Sequence, residues 1–113
     1  MKFLPLWFAS LQVGLVLAGP WIQFDAGHIG ACGTYISDND FVIAVDKGAW
    51  VGGKYCGRNM SLELGGTVVQ GAVLDLCHDC PRYTFAVTPA IWATFQLAPE
   101  DIEVTEGSWK YVF

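Results

Sequence analysis

Val73-Leu74-Asp75-Leu76-Cys77-His78-Asp79-Cys80-Pro81 is the stretch whose reading decides the fold. It runs as an apolar strand into a Cys-x-x-Cys turn, and one carboxylate, Asp75, interrupts the apolar run. An unpaired carboxylate is expensive to bury, so Asp75 needs a partner or open water. Two readings fit the residues alone: a strand end whose Asp caps the following turn, or an acidic group displayed in a site. Cys77 and Cys80 pose a second question, because the same spacing serves disulfides, redox pairs and zinc sites.

The N-terminus bears on that question. Lys2 is followed by a mostly apolar run from Phe3 to Ala18 that ends in small residues, the pattern of a secretory signal peptide cleaved after Ala18. As a membrane anchor the run is short of the ~20 residues needed to span, and Pro5, Ser10 and Gln12 break it. Of the 113 residues, 95 follow Ala18, enough for one domain over 19–113. A domain that small buries only about 60–65% of the surface its unfolded chain exposes. All four cysteines (Cys32, Cys56, Cys77, Cys80) fall in this part. Export to an oxidising compartment favours two disulfides, and four cysteines allow three connectivities. Zinc, with His78 between Cys77 and Cys80, fits poorly with secretion and with the uneven spacing of the other two cysteines.

Charge narrows the partners. Losing the leader removes one charge, Lys2, and takes the formal net charge from −5 to −6. A chain this acidic has no basic patch for the phosphates of nucleic acid or anionic lipid, and it would repel pectin. A neutral polysaccharide or a protein surface suits it better, and a monomer is expected.

Gly, Pro and Asp/Asn clusters recur every eight to twelve residues between short apolar runs, as in a small all-β barrel or sandwich. Strands are expected at Trp21 to Phe24, Phe41 to Val45, Met60 to Leu64, Thr67 to Leu76, Ile102 to Val104 and Trp109 to Phe113. Gly65-Gly66 is a strong hairpin signal. Lys47 to Gly57 reads as a loop. Thr88 to Phe95 reads as the one helix, with Thr88 as N-cap and Pro89 in the first turn.

In this order the motifs resemble secreted double-psi β-barrels of the expansin, barwin and rare-lipoprotein-A type, most of all the short fungal single-domain members. The matching residues are Gly30-Ala31-Cys32-Gly33, Ser37-Asp38-Asn39-Asp40-Phe41-Val42-Ile43-Ala44-Val45, Cys56-Gly57, Val73 to Cys80, Thr88 to Phe95 and Trp109. They cover essentially the whole chain after the leader. The resemblance implies an all-β fold, a six-stranded barrel with one short helix, stabilised by disulfides Cys32–Cys56 and Cys77–Cys80. It also implies an open groove for cell-wall polysaccharide, placed here at Asp75 with Asp25, Phe24, Tyr35, Asp79 and Trp50, and no cofactor or metal. Relatives that cleave glycans carry a catalytic Asp in a Phe-Asp-Leu-Ser-like pattern before the helix. Here that stretch is Phe85-Ala86-Val87-Thr88, with Ala86 where the acid would stand. Without a proton donor, general-acid assistance of ~10²–10⁴-fold is lost, so a non-catalytic binder is expected. Some relatives act on proteins, as protease inhibitors or at a host interface, and Lys47 to Tyr55 is the loop that would serve that role.

Trp21, Trp92 and Trp109 are expected in the core, whereas Trp50 and Tyr55 are candidates for stacking on sugar or partner. His28 and His78 read as turn residues. Asn59-Met60-Ser61 is a glycosylation sequon.

Overall fold

The computed structural model describes residues 17–18, 20–98, 104 and 107–112. Residues 1–16 of the expected leader over 1–18, and most of the expected strand over 102–104, lie outside them. Among the described residues no helix is long and apolar enough to cross a membrane.

Among the described residues nine strands form: β1 (Leu17–Ala18), β2 (Trp21–Gln23), β3 (His28–Ile29), β4 (Tyr35–Ile36), β5 (Val42–Val45), β6 (Asn59–Leu64), β7 (Thr67–Leu76), β8 (Phe85–Val87) and β9 (Ser108–Val112). Seven make one sheet in the order β1-β9-β6-β7-β5-β8-β2, and β3 and β4 pair apart from it. An antiparallel bridge from Trp21 to Val104 ties β2 to the segment leading into β9. Six strands thus make the barrel wall, and β1 is a two-residue addition to the edge of β9. Parallel pairs β5–β7 and β2–β8 flank the antiparallel pair β5–β8, so the connections between parallel strands must cross the barrel end.

The longest hairpin, β6–β7, turns at Gly65 and Gly66, whose φ angles of +60° and +84° suit a two-residue turn that only glycine enters freely. The interior is aromatic. Trp21 stacks on Phe85 at 5.4 Å, Phe85 meets Trp109 edge-on at 5.6 Å, and Trp92 closes the cluster. The three tryptophans expected in the core are there.

Among the described residues two α-helices form rather than one. α2 (Pro89–Thr94) is the expected helix, but Thr88 does not cap it with its side chain. Its hydroxyl instead donates to Asp40 O at 2.6 Å and accepts from Val42 N at 3.2 Å, fastening the helix start to β5. The segment read as a loop contains α1 (Lys47–Trp50) and then a tight 3₁₀ turn, Val51–Gly53. Asp46 starts α1 by accepting Gly48 N at 3.0 Å. A helix of one turn is too short to show apolar periodicity.

Candidate functional site

Side chains alternate along β7: Val69, Gly71 and Val73 are buried, and Val68 and Gln70 are exposed. Continued unchanged, that alternation would aim Asp75 at the interior. It does not continue. Ile43 pairs with Val73, but the next residue, Ala44, pairs with Asp75, so Leu74 is an extra residue in β7. Such a β-bulge reverses the facing of everything beyond it. Asp75 therefore shares the side of Ala44, whereas Ile43 and Val45 belong to the interior cluster. The pairings extend the row across four strands, Asp75–Ala44–Ala86–Ile22, on the face of the wall opposite the interior cluster, called the outer face below, where Ala44 and Ala86 are themselves buried.

The β3–β4 hairpin docks over the bulge. Cys32 N donates to Leu74 O at 3.2 Å, and the disulfide from Cys32 to Cys56 anchors the hairpin to the segment entering β6. Gly30 permits the approach: a Cβ there would collide with Leu74 O and stand 2.7 Å from Ile36 Cδ1.

Docking gives Asp75 its partners. Oδ1 accepts Ala31 N and Leu76 N, both at 2.8 Å, and Oδ2 accepts His28 Nε2 at 2.7 Å. The Leu76 bond is the turn-capping role; the other two make Asp75 the anchor of the hairpin. Its side chain is 13% exposed and that of His28 44%. The His28 ring stands edge-on to Phe24 at 6.2 Å between centres. Phe24, His28 and Asp75 thus form one polar–aromatic patch, and Asp25 follows Phe24, exposed.

Other expected groove residues lie elsewhere. Tyr35 pairs with Ile29, and its neighbour Ile36 is fully buried and pairs with His28. Strand alternation puts Tyr35, 60% exposed, on the solvent side of the hairpin, away from the side that His28 turns to Asp75. Trp50, half buried in α1, packs against the edge of the interior cluster rather than on the outer face. Asp79 is exposed in the turn closed by the Cys77–Cys80 disulfide. That bond uses both sulfurs, which leaves neither as a metal ligand. Asn59 is exposed on β6, between β7 and β9.

Sequence reasoning missed His28. It stands 47 residues from Asp75, and no local pattern joins them. Ala31 N was equally hidden, since a backbone donor carries no residue signature.

Ala86 is 1% exposed and lies one strand beyond Ala44 from Asp75, so the two Cα atoms stand ~10 Å apart by strand spacing. The side chain next to the Asp75 carboxylate in that row is a methyl group, Ala44, and the one beyond it is another.

The chain matches no protein-family model and no curated protein. It is similar to solved structures. A papain inhibitor of Streptomyces aligns at 24% identity with a TM-score of 0.75, over 92% of this chain and 100% of that one. A mutant of the Clavibacter michiganensis expansin in complex with cellohexaose aligns at 19% identity and a TM-score of 0.73, and the apo expansin at 20% and 0.71. The fold is a double-psi β-barrel of the expansin and barwin-like type. Each expansin alignment covers 87% of this chain but 50% of the expansin, so the barrel spans half the length of that protein. The two disulfides are consistent with an oxidising, extracellular setting.

Proposed function

We propose that the protein is secreted and binds neutral cell-wall polysaccharide, without cleaving it, across the outer face around Asp75. The observation that carries this reading is the fixed carboxylate of Asp75 beside the exposed edge of His28 and the ring of Phe24. A sugar needs an acceptor held in place for its hydroxyls and a flat apolar face for its C–H side. The acidic net charge is compatible with a neutral glycan, and the solved mutant expansin of like fold in complex with cellohexaose supports that reading. Asp25 and Asp79, both exposed, would extend the polar rim.

A non-catalytic role is supported by the row that crosses the strands. Hydrolysis would require a proton donor facing the scissile oxygen, and normally a second carboxylate. The row next to Asp75 offers two buried methyl groups instead. An Asp at position 86 would enter a site 1% exposed and raise the cost of folding rather than create a catalyst. Export would follow from cleavage after Ala18. That cut would remove β1, which contributes two residues to the sheet edge, and leave the six-stranded wall. N-terminal sequencing of the secreted protein checks it, and a mature N-terminus other than Gly19 contradicts it.

A second reading is inhibition of a protease. It is supported by the papain inhibitor of like fold, whose whole length aligns, and by the exposed Val51 at the tip of the segment after α1, 58% accessible. Retention on insoluble cellulose, chitin and xylan, run beside a panel of cysteine and serine proteases, separates the two. Retention without inhibition is the expected result.

A further inference from the structure

At the end of the barrel, beneath α1, lies a pocket of about 290 Å³ lined by Asp46, Tyr55, Arg82, Tyr83, Trp109 and Tyr111 among others. It is separate from the Asp75 patch. Phe85, whose ring faces the interior, forms part of its wall, whereas the adjacent Ala86 belongs to the outer row.

The lining is built and preorganised. Tyr55 stacks on Tyr111 at 4.9 Å, and Tyr111 meets Trp109 edge-on at 5.8 Å. Arg82 lies over the Tyr83 ring, 5.0 Å from its centre. Asp46 is 6% exposed and holds Gly48 N through Oδ2. Two wall residues sit in the left-handed backbone region although neither is glycine: Val51 at φ +43° and Tyr83 at φ +67°. For a β-branched valine this is a real outlier, and such strain gathers where a ligand is held.

The polar groups select the occupant. Arg82 and Asp46, one of each sign, leave the lining with no net charge, so neither a cation nor an anion gains overall. A purely apolar side chain would strip water from both and return no hydrogen bond. A neutral ring with an apolar face and a hydroxylated edge satisfies all three demands. The volume is at the lower end for ligand sites, which suits one ring rather than an extended chain.

We propose that this pocket binds a single neutral pyranose unit, with the tyrosine rings against its C–H face and Asp46 and Arg82 on its hydroxyls. The proposal rests on the glycan reading above but on different residues. The test is titration of the ¹⁵N-labelled protein with glucose, N-acetylglucosamine, mannose, galactose and xylose, followed by two-dimensional amide spectra. Saturable shifts at Gly48, Tyr55, Tyr83 and Tyr111 with at least one sugar are expected, weakened about tenfold or more in Arg82→Ala and in Tyr83→Ala. Both residues are exposed, and matching melting curves would show that the variants keep their fold. Three results would overturn the proposal: no saturable shift with any sugar, shifts confined to His28, Ala31 and Asp75, or undiminished binding in Arg82→Ala. Retention on insoluble glycan tests the outer face independently. Loss of retention with pocket shifts intact removes the outer-face reading alone, and the converse removes the pocket alone.

Discussion

The carboxylate of Asp75 and the imidazole of His28 meet at 2.7 Å from strands 47 residues apart in the chain, and Ala31 N binds the other oxygen of the same carboxylate. One side chain therefore both locks the glycine-rich hairpin onto β7 and stands at the centre of the exposed patch.

The two partners are unequal in stability. Asp75→Ala would leave Ala31 N and Leu76 N without their acceptor, a loss of about 1–3 kcal/mol. The contact to half-exposed His28 is worth less, and His28→Ala should cost within about 1 kcal/mol. Urea unfolding of both variants checks the order. A costlier His28→Ala would show that the hairpin is held chiefly by the imidazole.

The extra residue in β7 does more than shift phase. Deleting Leu74 would make the strand regular: Asp75 would follow Val73 directly and stay opposite Ala44, on the side away from the interior cluster. The deletion instead removes Leu74 O, the acceptor of Cys32 N on which the hairpin docks, a loss of about 1–3 kcal/mol. Leu74→Ala keeps that carbonyl and should lose less, because the side chain it truncates is only half buried. Urea unfolding of both variants checks the order, and equal stabilities would mean that docking does not depend on the extra residue.

Much of this was legible in the sequence. Apolar runs separated by glycine and Asp/Asn turns marked β2, β5, β6, β7 and β9, Gly65-Gly66 the hairpin, and Thr88-Pro89 the start of α2; β3, β4 and β8, two or three residues each, are too short to show a pattern and were not expected. The bulge was not legible, because a shift of strand phase depends on the partner strand and leaves no mark in a run such as Val73-Leu74-Asp75-Leu76. The partners of Thr88 were hidden for a like reason: Asp40 and Val42 are tertiary neighbours, and a capping residue reads the same wherever its hydroxyl goes. Tyr35 and Trp50 are groove candidates in the sequence, Trp50 because a loop between glycines and lysines rarely buries a ring fully. Strand alternation turns the first outward, and α1, one turn long, folds the second back onto the core.

The disulfides should contribute in proportion to the chain they close. Cys32 and Cys56 are 24 positions apart, and replacing both by Ser should cost about 3 kcal/mol; Cys77 and Cys80, 3 apart, should cost less. Denaturant midpoints of the two double variants decide. A costlier Cys77/Cys80 replacement would contradict the order.

Burial, and after it the neighbouring Tyr55 and Asp46, raises the Tyr111 phenol above its ordinary value of 10.0. In the unfolded chain Tyr111 releases its proton near the ordinary value; in the folded protein it does so only at higher pH. Its contribution to stability is therefore fully present below pH 10.0 and is lost as pH rises toward the folded value. Ultraviolet titration should show one tyrosine ionising late, and Tyr111→Phe should remove both that step and part of the alkaline loss of stability. Ionisation of all tyrosines together would contradict this.

The central claim is binding to glycan without cleavage, and co-sedimentation with insoluble cellulose, chitin and xylan tests it most directly when released reducing ends are counted in the same tubes. The wild-type protein is expected to sediment with at least one of them, Phe24→Ala and Asp75→Asn to remain largely in solution, and no tube to release reducing ends above background. Failure of the folded wild type to sediment with any of the three, or reducing ends released by the wild type and abolished in Asp75→Asn, would contradict it.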